Sequence, residues 1–156
     1  MSDDQWMRVA MDAARKGIAA GQTPFGAAIV RGETLLIAAH NVVWQTTDST
    51  GHAEVTAIRE CCRLVHGIDL SGCTIYSTCE PCPMCFSACH WAKLDRIVYG
   101  ASIGDAESAG FNELSVSNEQ LKSLGGSPIQ ITTGVLKGEC QKLFEEWMRC
   151  PERRGY

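Results

Sequence analysis

The stretch Thr78-Cys79-Glu80-Pro81-Cys82-Pro83-Met84-Cys85-Phe86-Ser87-Ala88-Cys89-His90-Trp91 holds four of the chain's nine cysteines, spaced three, three and four residues apart. Sulfurs crowded like this belong to a metal, because soft thiolates held close together are what zinc or an iron–sulfur cluster needs. As a set, Cys79, Cys82, Cys85 and Cys89 match a known iron–sulfur spacing. Two features count against that match. His90 follows where such runs carry proline, and Cys61, Cys62, Cys73, Cys140 and Cys150 form no second cluster set. The rival uses only Pro81-Cys82-Pro83-Met84-Cys85 and draws a third ligand from His52-Ala53-Glu54. The spacing favours zinc.

His-x-Glu followed by Pro-Cys-x-x-Cys is the pattern of zinc sites that direct water at an amidine-like carbon of a nucleobase. Three protein ligands leave the fourth zinc position open, and zinc brings the pKa of a bound water to about 7. Two thiolates and a neutral imidazole sum with Zn²⁺ to zero charge, so hydroxide is not repelled. Cys82 and Cys85 stand i, i+3 at the start of an expected helix, on one face and near its positive end. Pro81 and Pro83 suit that placement. Glu54 lies two residues after His52, about 200° around a helix, so it is placed for the water and the substrate nitrogens rather than for chelation. A glutamate in a first helical turn is by default a solvated acid, and only the pairing with His52 and the cysteines lifts Glu54 above that. None of His40, His66 and His90 has an acid two residues on. His90 reads as a packing or surface histidine, and Cys79 and Cys89 as buried small residues.

At 156 residues the chain is expected to be one domain, 1–156, able to bury roughly 70% of its unfolded surface. A net charge of −4 argues against a nucleic-acid footprint. The odd, clustered cysteines read as reduced thiols in the cytoplasm, and no apolar run approaches the ~18 residues of a membrane span. Periodicity and turn residues predict helices from Asp3 or Asp4 through Lys16, over 52–64, over 82–92, over 118–124 and over 136–149. They predict strands over 25–30, 34–39, 74–78, 96–99 and 129–132, with polar loops over 41–51 and 103–118. The order gives a five-stranded mixed α/β sheet: a hairpin first, then helical crossovers that make the last three strands parallel. Both ligand-bearing helices then begin at one end of it.

With those residues in hand, the chain resembles the cytidine/deoxycytidylate-type zinc deaminase superfamily, and within it the bacterial guanine deaminases. The matching segments are Thr23-Pro24-Phe25-Gly26-Ala27, Asn41, His52 through Arg59, Ser77 through Cys85, and Asp105-Ala106-Glu107-Ser108-Ala109-Gly110-Phe111. The resemblance implies the three-layer cytidine-deaminase-like fold with helices on both faces. It implies one Zn²⁺ on His52, Cys82 and Cys85, and Glu54 as proton shuttle. It implies base contacts from Asn41, the Ala53 backbone, Phe25 and Trp91. An acid after Ala109-Gly110-Phe111 would be a second shuttle or base anchor. Family members often carry aspartate there; here Asn112 precedes Glu113, so Glu113 takes the role. The resemblance further implies a homodimer whose segment of about 149–156 swaps to close the neighbouring site with Tyr156, although 149–155 departs from most relatives.

Each assignment has a bland counterpart. Asn41 after a strand is commonly a turn residue, Phe25 and Trp91 are commonly core, Glu113 is a loop acid and Tyr156 a chain end. The function implied is hydrolysis of guanine to xanthine and ammonia, with isocytosine or aminotriazines such as ammeline close behind. Cytosine or tRNA adenosine are alternatives within the same chemistry. A non-enzymatic iron–sulfur or structural zinc protein is the alternative outside it.

Overall fold

The computed structural model describes residues 1–156. Its elements are α1 (Asp3–Ala19), β1 (Gly26–Arg31), β2 (Thr34–His40), α2 (Val43–Thr46), α3 (Ala53–Val65), β3 (Cys73–Cys79), α4 (Pro83–Trp91), β4 (Arg96–Ala101), α5 (Ile103–Ser108), α6 (Asn118–Gly125), β5 (Gln130–Thr132) and α7 (Lys137–Met148). The strands form one sheet in the order β2-β1-β3-β4-β5. β1 is antiparallel to both β2 and β3, while β3, β4 and β5 run parallel. The expected mixed sheet is therefore present.

Alternation along the strands divides the core into two layers. Ala28, Val30, Tyr76 and Val98 pack under α1 and α7; Ala27, Ile29, Ile75 and Ile97 pack under α3 and α4. Covering both faces makes the central strands apolar throughout, as helical crossovers require. Two close approaches depend on glycine. A Cβ on Gly26 would lie 2.1 Å from the Ala10 carbonyl oxygen of α1, and one on Gly100 would lie 2.3 Å from Cys140 Sγ of α7. No helix is long and apolar enough to cross a membrane.

The mixed topology gathers the chemistry at one end. Because β1 is antiparallel to its neighbours, its start lies beside the ends of β2 and β3: Gly26 pairs with His40, and Ala27 with Ser77. β4 ends there too, with Ala101 opposite Cys79. Phe25, Asn41, the metal motif and the segment after β4 are thus brought together from four places in the chain.

Two helices fall where loops were expected. α5 begins with a capping box, Ser102 accepting from the Asp105 backbone N–H while the Asp105 side chain accepts from that of Ser102. Gly104 and the short run of acids hid it from the propensity reading. α2 is a single turn within 41–51.

At the opposite end Arg96 grips Asp3 with both guanidinium arms, at 3.0 and 2.7 Å, and the Tyr76 hydroxyl donates to the same carboxylate at 2.8 Å. These bonds join the first turn of α1 to β3 and β4. Arg96 leads in holding the Asp3 carboxyl below its ordinary pKa, against the opposing effect of burial. A depressed acid contributes its stability above its unfolded pKa, about 3.9, and loses it as pH falls through the lower folded value. Wild-type stability should therefore fall more steeply below about pH 4 than that of Asp3→Asn. Above pH 5 the variant should be less stable by about 1 kcal/mol. Urea unfolding at stepped pH measures both, and parallel curves would remove the ion pair from the acid response.

Candidate active site

His52 and Cys82 occupy equivalent positions, each at the N-cap of its helix, α3 and α4, and neither side chain makes a capping hydrogen bond there. Both side chains instead meet Cys85, from the first turn of α4. His52 Nδ1 lies 3.6 Å from Cys82 Sγ and 3.5 Å from Cys85 Sγ, and the three donor atoms lie within 4.8 Å of one another. Zinc bonds of about 2.3 Å to sulfur and 2.0–2.1 Å to nitrogen at tetrahedral angles require a nitrogen–sulfur edge of about 3.6 Å. The residues fit zinc. The two sulfurs also compete for a proton: Cys82 is lowered to about 4, first by the hydrogen bond from Cys85, while Cys85 is raised well above the usual thiol value. A divalent cation relieves that competition by holding both as thiolates.

No other group of histidines, cysteines and acids could hold an ion, which removes the four-cysteine reading. Cys79 Sγ faces the Ser102 carbonyl at 3.4 Å, and Cys89 is buried against the sheet. His90 pairs with Ser127, as a packing histidine would.

Glu54, in the first turn of α3, is only 6% exposed, and burial leads in pushing its carboxyl above the ordinary value. Ser77 Oγ, at the end of β3, lies 3.1 Å from Glu54 Oε1 and 2.7 Å from the Cys79 carbonyl oxygen, fixing the carboxyl's direction. Glu113 arrives from the opposite wall. Burial, followed by the charge of Cys82, pushes it up to about 7. Both acids line one small cavity of about 20 Å³ together with Phe25, His52, Cys82 and Tyr156. His52, Cys82, Glu113 and Tyr156 also line an outer cleft of about 200 Å³, which includes Met84 and Leu114. His52, Cys82, Glu113 and Tyr156 therefore border both.

Asn41 satisfies its bland reading and also reaches the chain end at the site. Its Oδ1 accepts from the Val43 backbone N–H at 3.0 Å, making the turn after β2, while Nδ2 donates to the Tyr156 hydroxyl at 2.6 Å. Phe25 stacks edge-on against Phe111 and Phe144 and borders the cavity as part of the core. Ala53 is buried at the start of α3 beside His52. The chain end is well anchored: Tyr156 O accepts from Asn112 N–H at 3.2 Å, Trp44 Nε1 donates to the Arg154 carbonyl at 3.1 Å, and the Arg154 guanidinium lies over Trp44. In this single chain Tyr156 reaches its own site.

Trp91 is the correction. It ends α4, nine residues beyond Cys82 and so about 13 Å along the axis, and is 82% exposed. It lines neither the inner cavity nor the outer cleft of its own chain. Ser77, Glu80 and Phe111 are the neighbours that single-residue reasoning missed. All three lie within the segments that carried the resemblance, which attached no role to any of them.

A family model of the cytidine and deoxycytidylate deaminase zinc-binding region matches residues 1–101. A guanine deaminase of Bacillus subtilis (strain 168) is 38% identical over the whole of both chains. A tRNA-specific adenosine deaminase of Buchnera aphidicola subsp. Schizaphis graminum is 30% identical over 94% of both. The solved guanine deaminase from Nitrosomonas europaea superposes with a TM-score of 0.87 at 29% identity, covering 96% of this chain and 86% of that one.

Proposed function

The chain belongs to the cytidine and deoxycytidylate deaminase zinc-binding family, and on that premise we propose that it is a zinc-dependent guanine deaminase. The observation that carries the choice of base is a second carboxyl in the site: Glu113, half-buried, lines the same cavity as Glu54. Guanine presents several ring and amino N–H donors, and a site with two carboxyls and the Asn41 amide can accept and donate along such an edge. The relative that spans the whole chain acts, by its name, on guanine.

His52, Cys82 and Cys85 would hold the zinc, which supplies a water of lowered pKa at this spot. Glu54 takes a proton from the attacking water and delivers it to the ring nitrogen beside the amino-bearing carbon. Water's oxygen becomes the new carbonyl oxygen, the amino nitrogen gains a proton, and the carbon–nitrogen bond breaks to give xanthine and ammonia. Glu113, raised to about 7, exchanges a proton with the base edge or anchors its N–H. Asn41 and the Ala53 backbone hydrogen-bond the base, and Phe25 limits its plane. A cavity of about 20 Å³ has room for a water and not for a purine, so Tyr156 must swing aside to admit the base. The homodimer and a cytoplasmic setting belong to the same proposal; nine free cysteines support the setting, and sedimentation reads the dimer mass.

Ammonia release from guanine, isocytosine, ammeline, cytosine, adenine, guanosine and cytidine tests the choice of base. Guanine should lead. A lead by cytosine or adenine would overturn the assignment of the pocket. Glu113→Gln should lower guanine turnover at least tenfold, on the scale for losing a proton-transfer group. Unchanged kinetics would remove Glu113 from the mechanism.

A further inference from the structure

Glu80 sits between the end of β3 and Pro81 and is 7% exposed. Its Oε2 accepts the Ile103 backbone N–H at 3.1 Å, and its Oε1 accepts that of Asn118 at 3.0 Å. Ile103 is the first residue of α5 and Asn118 the first of α6. One side chain therefore ties down both ends of the segment that carries Phe111, Asn112 and Glu113. Asn118 returns the connection, its Nδ2 donating to the Pro81 carbonyl at 2.6 Å, next to the ligand Cys82. Between α5 and α6 the chain keeps few backbone bonds of its own, among them Glu113 to Phe111 at 3.0 Å and Val116 to Leu114 at 2.8 Å. Besides Phe111 in the core and the Asn112 N–H on the Tyr156 carbonyl, the position of Glu113 is accordingly set by its two anchored ends.

We infer that Glu80 is the positioning residue for Glu113: its carboxylate pins the first residues of α5 and α6 to the metal motif and so holds Glu113 over the site. This rests on the role proposed for Glu113. Although Glu80 borders the inner cavity, both its oxygens are engaged by backbone donors, so it is not a proton carrier itself.

Glu80→Gln is the direct test, because an amide offers one acceptor oxygen and presents a donor to the other N–H. The variant should keep full zinc by elemental analysis and lose guanine turnover tenfold or more. Its Ile103 and Asn118 amides should exchange hydrogen faster, with those of α1 and α3 unchanged. A double-mutant cycle gives the decisive readout: Glu80→Gln with Glu113→Gln should be no slower than the slower single variant, because both remove one function. Additive losses, wild-type turnover in Glu80→Gln, or loss of zinc from it would each overturn the inference. Wild-type turnover in Glu113→Gln alone would instead bring down the parent role and the inference with it. If Glu80→Gln does not fold, Ile103→Pro deletes one of the two donors at a first helical position that tolerates proline. With Ile103→Ala correcting for the lost side chain, the proline variant should be slower than the alanine variant, and equality would overturn the inference.

Discussion

Glu54→Ala is expected to lower guanine turnover by roughly 1,000- to 10,000-fold while the protein keeps its zinc. The ion-binding group comprises only His52, Cys82 and Cys85, so deleting Glu54 removes no ligand. What it removes is the one carboxyl that the Ser77 hydroxyl orients inside the cavity, and hence the proton's route from water to base. Thermal stability should hold or rise. A carboxyl raised above its ordinary pKa by burial is one whose ionised form opposes folding at neutral pH, and alanine relieves that cost. Elemental analysis, ammonia release and thermal unfolding on one preparation separate the possibilities. Loss of zinc would make Glu54 a ligand or a structural support, and retained turnover would remove it from the chemistry.

The residues that could be read from sequence are those whose role follows from local spacing. Cys82 and Cys85 declare a shared helical face, and His52 with Glu54 declares a ligand and a base placed on different sides of a helix start. The strands were legible for a similar reason: β1 and β3 are short β-rich runs bounded by turns, with helices between the later strands enforcing the parallel order. Glu113 was reachable only through family resemblance, because nothing local distinguishes it from a solvated loop acid; what sets it apart is its place beside Tyr156, His52 and Cys82 around one cavity. Glu80 was beyond reach altogether. Its two partners lie 23 and 38 residues downstream, and both are backbone amides, which carry no side-chain signature. Trp91 came only from the resemblance, and the rise of the motif's own helix carries it away from this chain's cavity. α5 was missed because a six-residue helix rests on its cap and its anchors more than on propensity.

Removing the metal is expected to abolish turnover and leave the fold standing. In small zinc domains the ligands are most of the core, so metal binding and folding are one event. Here two buried clusters of 17 residues each hold the layers together, and neither includes His52 or Cys82. α3 packs on the sheet through Ala57, Ile58 and Cys61, and α4 through Phe86 and Cys89, whatever occupies the three donors. The stabilisation lost is that of a ligand binding the native state alone, about 4 kcal/mol at a free concentration a thousandfold above Kd. In a domain of this size that lowers the melting midpoint by roughly 10 °C. Cys85→Ser should reproduce the chelated state, since a hydroxyl at this fully buried position is a poor substitute for a thiolate. Its zinc content should fall below one-tenth per chain and its turnover to background, with the far-ultraviolet spectrum unchanged. Adding zinc should restore the chelated wild type and not the variant. Turnover without zinc would sink the metal mechanism. An unfolded apo-protein would mean instead that the zinc, and not the two apolar layers, holds α3 and α4 to the sheet.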